Sequence, residues 1–402
     1  MVGEQVAPRA FNLGFYLYNF EDLNSSEKHF SLTIRDIKMI NPNTLNCPIF
    51  RSKKDAEITK QIYRKVPVFI NKNEKNGNPW GCSFLAMFHM TNDSHLFKTK
   101  QELEDLGFEL DKNQYVKDEK VFLPLYESKM FWHFDHRFGS FEDVNDRGNT
   151  HLSTPSIEKY TDFSFVSQPW YWVSKTEVST RAQHNREWLL AFRDITNPTN
   201  ERTGIFTLIP YSAVGNNAPI ILFEKMSDIF ICCLFANLVS IPFDFVVRQK
   251  VGWTHMNFYI LEQLPLFCPT NYNENLIGFV VPKIIELTYT AWDLKPFAED
   301  VLEEIDPEKW NEWFPKNPLV DGIPQPFKWD EERRLQLRCE LDAVYAHLYG
   351  ISKDDLDYIL GTFPIVKRKD EAKYGTYKTR ELIMEYYEKC QREGVFRTDS
   401  VI

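Results

Sequence analysis

Arg248, Gln249 and Lys250 stand together at the polar end of an apolar helical pattern and run into Val251-Gly252-Trp253-Thr254-His255. Arginine and glutamine each make two parallel hydrogen bonds to a base edge, and lysine brings a point charge to a phosphate. Threonine and histidine add short-range donors and acceptors. The glycine permits a tight backbone course that holds these side chains close. The chemistry on offer is recognition of a polar, anionic surface. A solvated helix end has the same residue types, so the run alone does not separate the two.

A second concentration lies in LPLYESKMFWHFDHRF, from Leu123 to Phe138, where Lys129, His133, Asp135, His136 and Arg137 alternate with Tyr126, Phe131, Trp132, Phe134 and Phe138. Basic groups interleaved with aromatic rings can stack an unpaired base and hold its phosphates. Two sharper chemistries compete. His133, Asp135 and His136 are metal-ligand types, but in a strand the first two share a face and His136 points away. Glu127-x-Lys129 matches half of a nuclease signature, without an acidic partner at a persuasive spacing. Arg193 and Arg202 in FRDITNPTNERTG are further DNA-contact candidates, although Asp194 and Glu201 beside them offer local ion pairs.

The elements that must position these groups are legible in outline. Leu234 to Pro265 reads as a helix, apolar at Leu234, Leu238, Ile241 and Phe245, then a turn and a short closing strand. Residues 11 to 45 alternate as strands, and CSFLAMFHM reads as a buried strand. Ser52 caps a helix that buries Ala56, Ile58, Ile62 and Val66 before Pro67. Its other faces carry Arg51, Lys53, Lys54, Lys60, Arg64 and Lys65, the most basic helix of the chain. Glu142 to Ser167 is a long polar loop, TRAQHNREWLLAFRDI has helical character, and TGIFTLIPYSAVG returns to strand. Beyond Pro265 the chain turns helical: WDEERRLQLRCELDAVYAHLYG is stopped by Gly350, Ser352 caps the next helix, and a basic loop with Lys367, Arg368 and Lys369 precedes the last one. The expected class is α+β: terminal strands over 1–50, a mixed α/β domain over 51–270 and a mainly helical region over 271–402.

Composition narrows the functions. The 402 residues are 43% hydrophobic and 15% aromatic, enough for an ordered core. With 57 acidic against 47 basic residues the net charge is −10, which argues against a general electrostatic nucleic-acid binder while leaving room for a specific one. Seven scattered cysteines without a CxxC pair suit a reducing cytoplasm and speak against structural zinc. The N-terminus has no secretory pattern, and no run reaches the roughly 18 apolar residues of a membrane span. The expected location is the cytoplasm.

FDFVVRQKVGWTHMNFYILEQLP, after a Ser-containing helix, resembles the core of target-recognition domains in adenine-specific DNA methyltransferases of restriction-modification systems (type IIG-like) and in type I specificity subunits. Asn41-Pro42-Asn43-Thr44 through Phe50, the Leu-Tyr-Glu-x-Lys-Met and Phe-Asp-His-Arg strings, Phe-Arg-Asp-Ile with Asn-Glu-Arg-Thr, and Tyr-Ile-Leu-Gly-Thr-Phe-Pro are similar to the C-terminal part of the same enzymes. The resemblance implies a DNA target-recognition module for phage defence. Its DNA-facing candidates are Lys129, His133, His136, Arg137, Arg193, Arg202, Arg248, Gln249, Lys250, Gly252, Thr254 and His255.

The same resemblance implies that residue 50 marks the end of a catalytic domain and that residues 11 to 45 dock a methyltransferase catalytic domain or subunit. The partners are that subunit and double-stranded DNA, with no membrane. S-adenosylmethionine then belongs to the catalytic part, because this chain has neither a glycine-bearing cofactor loop nor an (Asn/Asp/Ser)-Pro-Pro-(Tyr/Phe) tetrapeptide. Asn41-Pro42-Asn43-Thr44, Asn78-Pro79-Trp80-Gly81 and Asn197-Pro198-Thr199-Asn200 each lack the second proline. No methyltransferase activity is expected of the chain alone. Rival readings are a protein-interaction subunit without DNA contact and a metal-dependent nuclease. A cleft shared by Lys129, Arg137, Arg193 and Arg248 favours DNA reading; their dispersal favours the interaction protein, and a carboxylate cluster near Glu127 the nuclease.

Overall fold

The computed structural model describes residues 10–147, 152–252 and 254–393, and the chain is α+β. Its central element is a four-stranded antiparallel sheet in the order Cys82–Leu85, Ile220–Phe223, Trp188–Phe192, Phe206–Pro210. Strand side chains alternate between faces, and here both faces are covered. Trp188, Leu190, Phe192, Phe206, Leu208 and Ile221 enter one core, while Leu189, Ala191, Ile209 and Ile220 enter a second. A strand buried on both sides needs a continuous apolar run, and Trp188–Phe192 has one. The expectation of helix across TRAQHNREWLLAFRDI fails for that reason: the helix Lys175–Arg181 ends first, and the apolar run is a strand paired on both sides.

A second sheet is built on Lys120–Tyr126. It pairs antiparallel with Gln114–Lys117 and Trp172–Ser174 and parallel with Ala213–Val214. Phe11–Gly14 and His29–Leu32 form a separate two-stranded ribbon. The strand reading of residues 11 to 45 stops at Leu32. Thr33 and Asp36 then satisfy each other's backbone amides in a capping box and turn the chain into the helix Ile34–Ile40. Likewise CSFLAMFHM is strand only over Cys82–Leu85.

Helices Asp228–Leu238, Ile241–Lys250, Glu274–Thr288 and Glu331–Tyr349 fill the first core, which also takes in Phe30, Ile40 and Phe50 at one end of the chain and Ile383 and Tyr387 at the other. One apolar cluster therefore crosses the expected boundaries at 50 and 270. The helix Lys53–Lys65 starts at Ser52, whose Oγ accepts from Asp55 N at 3.0 Å, and Gly350 ends Glu331–Tyr349 with φ +72°. The expected basic loop is instead the helix Pro364–Tyr374, with proline in its first turn where no amide partner is needed. The long loop after Glu142 contains a helical turn, Ile157–Thr161. The expected closing strand before Pro265 reduces to a helical turn, Phe258–Leu261, and one bridge between Val68 and Pro265. No single helix among the described residues is long and apolar enough to cross a membrane; the pair Asp228–Leu238 and Ile241–Lys250, bent by 62°, passes on composition and is mostly buried in the core.

Candidate nucleic-acid interface and the adjoining cavity

Past Tyr126 the chain leaves its sheet through the 3-10 turn Ser128–Met130 and folds into a tight reversal. Trp132 N donates to Asp135 O at 2.8 Å and Asp135 N to Trp132 O at 3.0 Å. Phe134 takes the left-handed φ of +55°, so the strand geometry expected for His133, Asp135 and His136 is absent. Arg137 is fully buried, and its guanidinium donates to the carbonyls of Asp162 (3.1 Å), Phe165 (3.3 Å), Tyr160 (3.3 Å) and Thr290 (3.1 Å). His136 Nε2 lies 2.9 Å from Asp293, and Asp135 accepts from Tyr160 Oη at 2.7 Å. Arg137 and His136 thus knit the reversal to the rest of the chain instead of facing DNA. No group of three or more His, Cys, Asp or Glu among the described residues is placed to hold a metal ion.

Other predicted readers are internal for the same reason: a guanidinium or ammonium removed from water must be met by oxygens. Arg193 donates to Phe131 O and lies 4.7 Å from the Trp132 ring centre; burial pushes it down to about 10. Arg202 pairs with the wholly buried Asp244 at 3.2 Å and donates to Val239 O. Arg248 donates to the carbonyls of Thr362, Asn200 and Glu201. Lys250 Nζ is held by Ile40 O (2.6 Å), Asn41 Oδ1 (2.8 Å) and Gln263 O (2.6 Å), and burial drives it well below the usual lysine range. Gln263 Oε1 in turn accepts from Asn43 N and Thr44 N, so the Asn-Pro-Asn-Thr string is locked onto the segment that follows the glycine turn. Gln249 is partly buried, with its Oε1 unpartnered. Lys129 is one-quarter exposed, 3.9 Å from Glu127 and 4.6 Å from the Phe141 ring centre. Lys129, Arg137, Arg193 and Arg248 form no common open cleft.

What does face outward is a narrow pairing of two loops. Ile195 bridges His255, Thr196 N donates to Thr254 O at 2.9 Å, and Met256 N donates to Asp194 O at 2.8 Å. His255 Nδ1 lies 2.8 Å from Asp194 Oδ2, with half of its side chain exposed. Thr199, Asn200, Gly252, Thr254 and Asn257 are exposed around it. Gly252 has no left-handed backbone, and a Cβ there would meet nothing within 4 Å, so this glycine leaves open space instead of making the tight turn expected. Trp253 lies outside the described residues. Alongside runs the helix Pro364–Tyr374, whose Lys367, Arg368 and Lys369 are exposed, with Lys369 2.5 Å from Glu201.

Between the Trp132–Asp135 reversal, the helix Glu331–Tyr349 and this basic helix is a cavity of about 370 Å³. Trp132, Trp329, Arg202, Arg338 and Asp342 line it, and His133 sits in its wall, nine-tenths buried, with neither ring nitrogen hydrogen-bonded to the protein. Burial first, then the charges of Arg202 and Arg338, hold that imidazole well below its usual range, while the nearby Phe206 backbone acts in the other direction. Burial pushes the Asp342 carboxyl up to about 6. Arg334, Arg338 and Asp342 are cavity residues outside the candidates expected from the sequence. Their spacing of four along a helical pattern, which aligns them on one face, was the available signal. Compared with known proteins, the chain matches no family model, no curated protein and no solved structure.

Proposed function

We propose that this chain reads duplex DNA as the target-recognition part of an adenine-specific DNA methyltransferase or restriction-modification enzyme, with the S-adenosylmethionine chemistry on a separate catalytic domain or subunit. The observation that carries the reading is the exposed loop pair, rich in Asn, Thr and His, beside the exposed lysines and arginine of Pro364–Tyr374. In this reading Thr254, His255 and Asn200 meet base edges while Lys367, Arg368 and Lys369 meet phosphates, a division of labour usual at DNA interfaces. The internal arginines hold the loops in place.

A second observation favours protein contact. Phe11, Tyr18, Phe20, Leu23, Ile34, Leu45 and Ile49 are all exposed, Phe20 by 85%. Such a concentration of apolar surface marks an interaction site. It fits docking of the catalytic part through the first fifty residues, and equally an interaction subunit that never touches DNA.

One experiment separates them: fluorescence anisotropy with a pool of duplexes at about 50 and 200 mM salt, with the chain alone and with a methyltransferase catalytic subunit. Sequence-selective, salt-sensitive binding supports DNA reading. Absence of binding in every condition overturns it and leaves the interaction subunit.

A further inference from the structure

Among the described residues, two histidines stand against carboxylates, and they differ in where they point. His136 with Asp293 is enclosed, its side chain only 2% exposed, whereas His255 with Asp194 faces outward, its side chain half exposed. His255 Nδ1 lies 2.8 Å from Asp194 Oδ2, and Nε2 has no hydrogen bond among the described residues. Backbone contacts fix both members. Asp194 lies just past the strand Trp188–Phe192; its N donates to Asn217 O at 3.1 Å and its O accepts from Met256 N at 2.8 Å. His255 sits between Thr254, whose O accepts from Thr196 N at 2.9 Å, and the fully buried Met256. The pair is therefore positioned before any ligand arrives, which lowers the cost of binding.

A carboxylate only accepts hydrogen bonds, so the single N–H of a neutral imidazole is drawn to Nδ1, and Nε2 turns outward as a bare acceptor. The negative charge behind the ring disfavours a phosphate at that nitrogen and favours a neutral donor. In the major groove the donors are exocyclic amines, N6 of adenine and N4 of cytosine; guanine and thymine offer oxygen acceptors instead. Given DNA reading by the loop pair, on which this rests, we propose that His255 determines specificity by accepting from the exocyclic amine of an adenine or a cytosine. Asp194 is the positioning residue that sets its tautomer. The lysines and arginine of Pro364–Tyr374 hold the phosphates, so the two groups divide base reading from backbone contact.

The test has one arm without DNA and one with it. The first is nitrogen NMR of the full chain, histidine-labelled, at about pH 8, where an ordinary imidazole is uncharged. The His255 signals, assigned by their loss in His255→Phe, are expected to show the Nδ1–H tautomer, and a mixture of tautomers in Asp194→Ala. The second arm is anisotropy on the duplex preferred from a randomised pool. Adenine is replaced by purine and cytosine by pyrimidin-2-one, one position at a time, which removes only the exocyclic amine. At one position this is expected to weaken binding about tenfold in the parent, the loss of one hydrogen bond, and to matter little in His255→Phe or Asp194→Ala. Both variants leave intact the backbone contacts that pair the loops. A mixture of tautomers in the parent refutes the proposal before DNA is added. Duplex binding in which no amine matters, or in which an amine matters equally in His255→Phe, also refutes it, while DNA reading by the loop pair survives. Failure of every duplex to bind removes DNA reading itself, and this role of His255 with it.

Discussion

The guanidinium of Arg248 sits 3.9 Å from the centre of the Phe363 ring and donates to the carbonyl just before it, Thr362 O, at 2.8 Å. Its second terminal nitrogen reaches Asn200 O and Glu201 O at 2.6 and 2.8 Å. One side chain thus fastens the start of the basic helix to the outward loop. Replacing it with alanine leaves three carbonyls short of a donor and weakens the neutralisation of buried Asp244. Arg248→Ala is expected to lose about 2–4 kcal/mol of stability, read by urea unfolding. Arg248→Lys recovers little, because an ammonium cannot reproduce the fork. An alanine variant as stable as the parent but unable to bind DNA would return Arg248 to a reading role.

Lys250 performs the parallel task for the first fifty residues. Its ammonium joins Ile40 and Asn41 to Gln263, with the Tyr63 ring centre 4.9 Å away. Lys250→Met keeps the packing and removes all three donors. The expected cost is about 2–4 kcal/mol, with earlier proteolytic cleavage between residues 10 and 50 than in the parent. Unchanged cleavage there would show that the segment is held by its apolar contacts alone.

The exposed groups behave in the opposite way. Lys367→Gln, Arg368→Gln and Lys369→Gln are surface changes with ion pairs of little worth, so each alters stability by no more than about 0.5 kcal/mol. Under the DNA-reading proposal each lost phosphate contact lowers the salt dependence of binding by about one unit of slope. Thr254→Ala with His255→Ala is expected to change sequence preference while leaving that slope intact. Identical slopes and preferences in all these variants would remove the loop pair and its helix from the interface.

His184 offers a pH readout. Its Nδ1 accepts from Arg186 N at 3.2 Å, and burial, reinforced by the Arg186 charge, pulls it from the usual value of 6.5 down to about 4. A depressed histidine contributes stability that is present above the unfolded-state value and is lost as pH falls through the folded one. The chain should therefore lose stability between pH 6.5 and 4. His184→Asn removes this component, by about 1–2 kcal/mol after discounting for the partial exposure of the ring. Parallel curves for parent and variant over that window would contradict the assignment.

Much of the local structure was legible because its causes are local. Ser52 ahead of a helix and Gly350 after one act within a turn of themselves, and the five apolar residues from Trp188 have the composition of a buried strand. Reading that run as helix missed only that it is covered on both faces. Thr33 and Asp36 show the reverse: a four-residue capping box overrode an alternating pattern that looked like strand. The fate of the charged residues was not legible. Whether Arg137, Arg193, Arg202, Arg248 and Lys250 meet solvent or a ring of carbonyls depends on segments 13 to 210 residues away, such as Ile40 for Lys250 and Thr362 for Arg248. Residue type determined that these groups bind anions or carbonyl oxygens. Only the tertiary structure decided which, because a buried cation persists only where distant parts of the chain bring it enough oxygens.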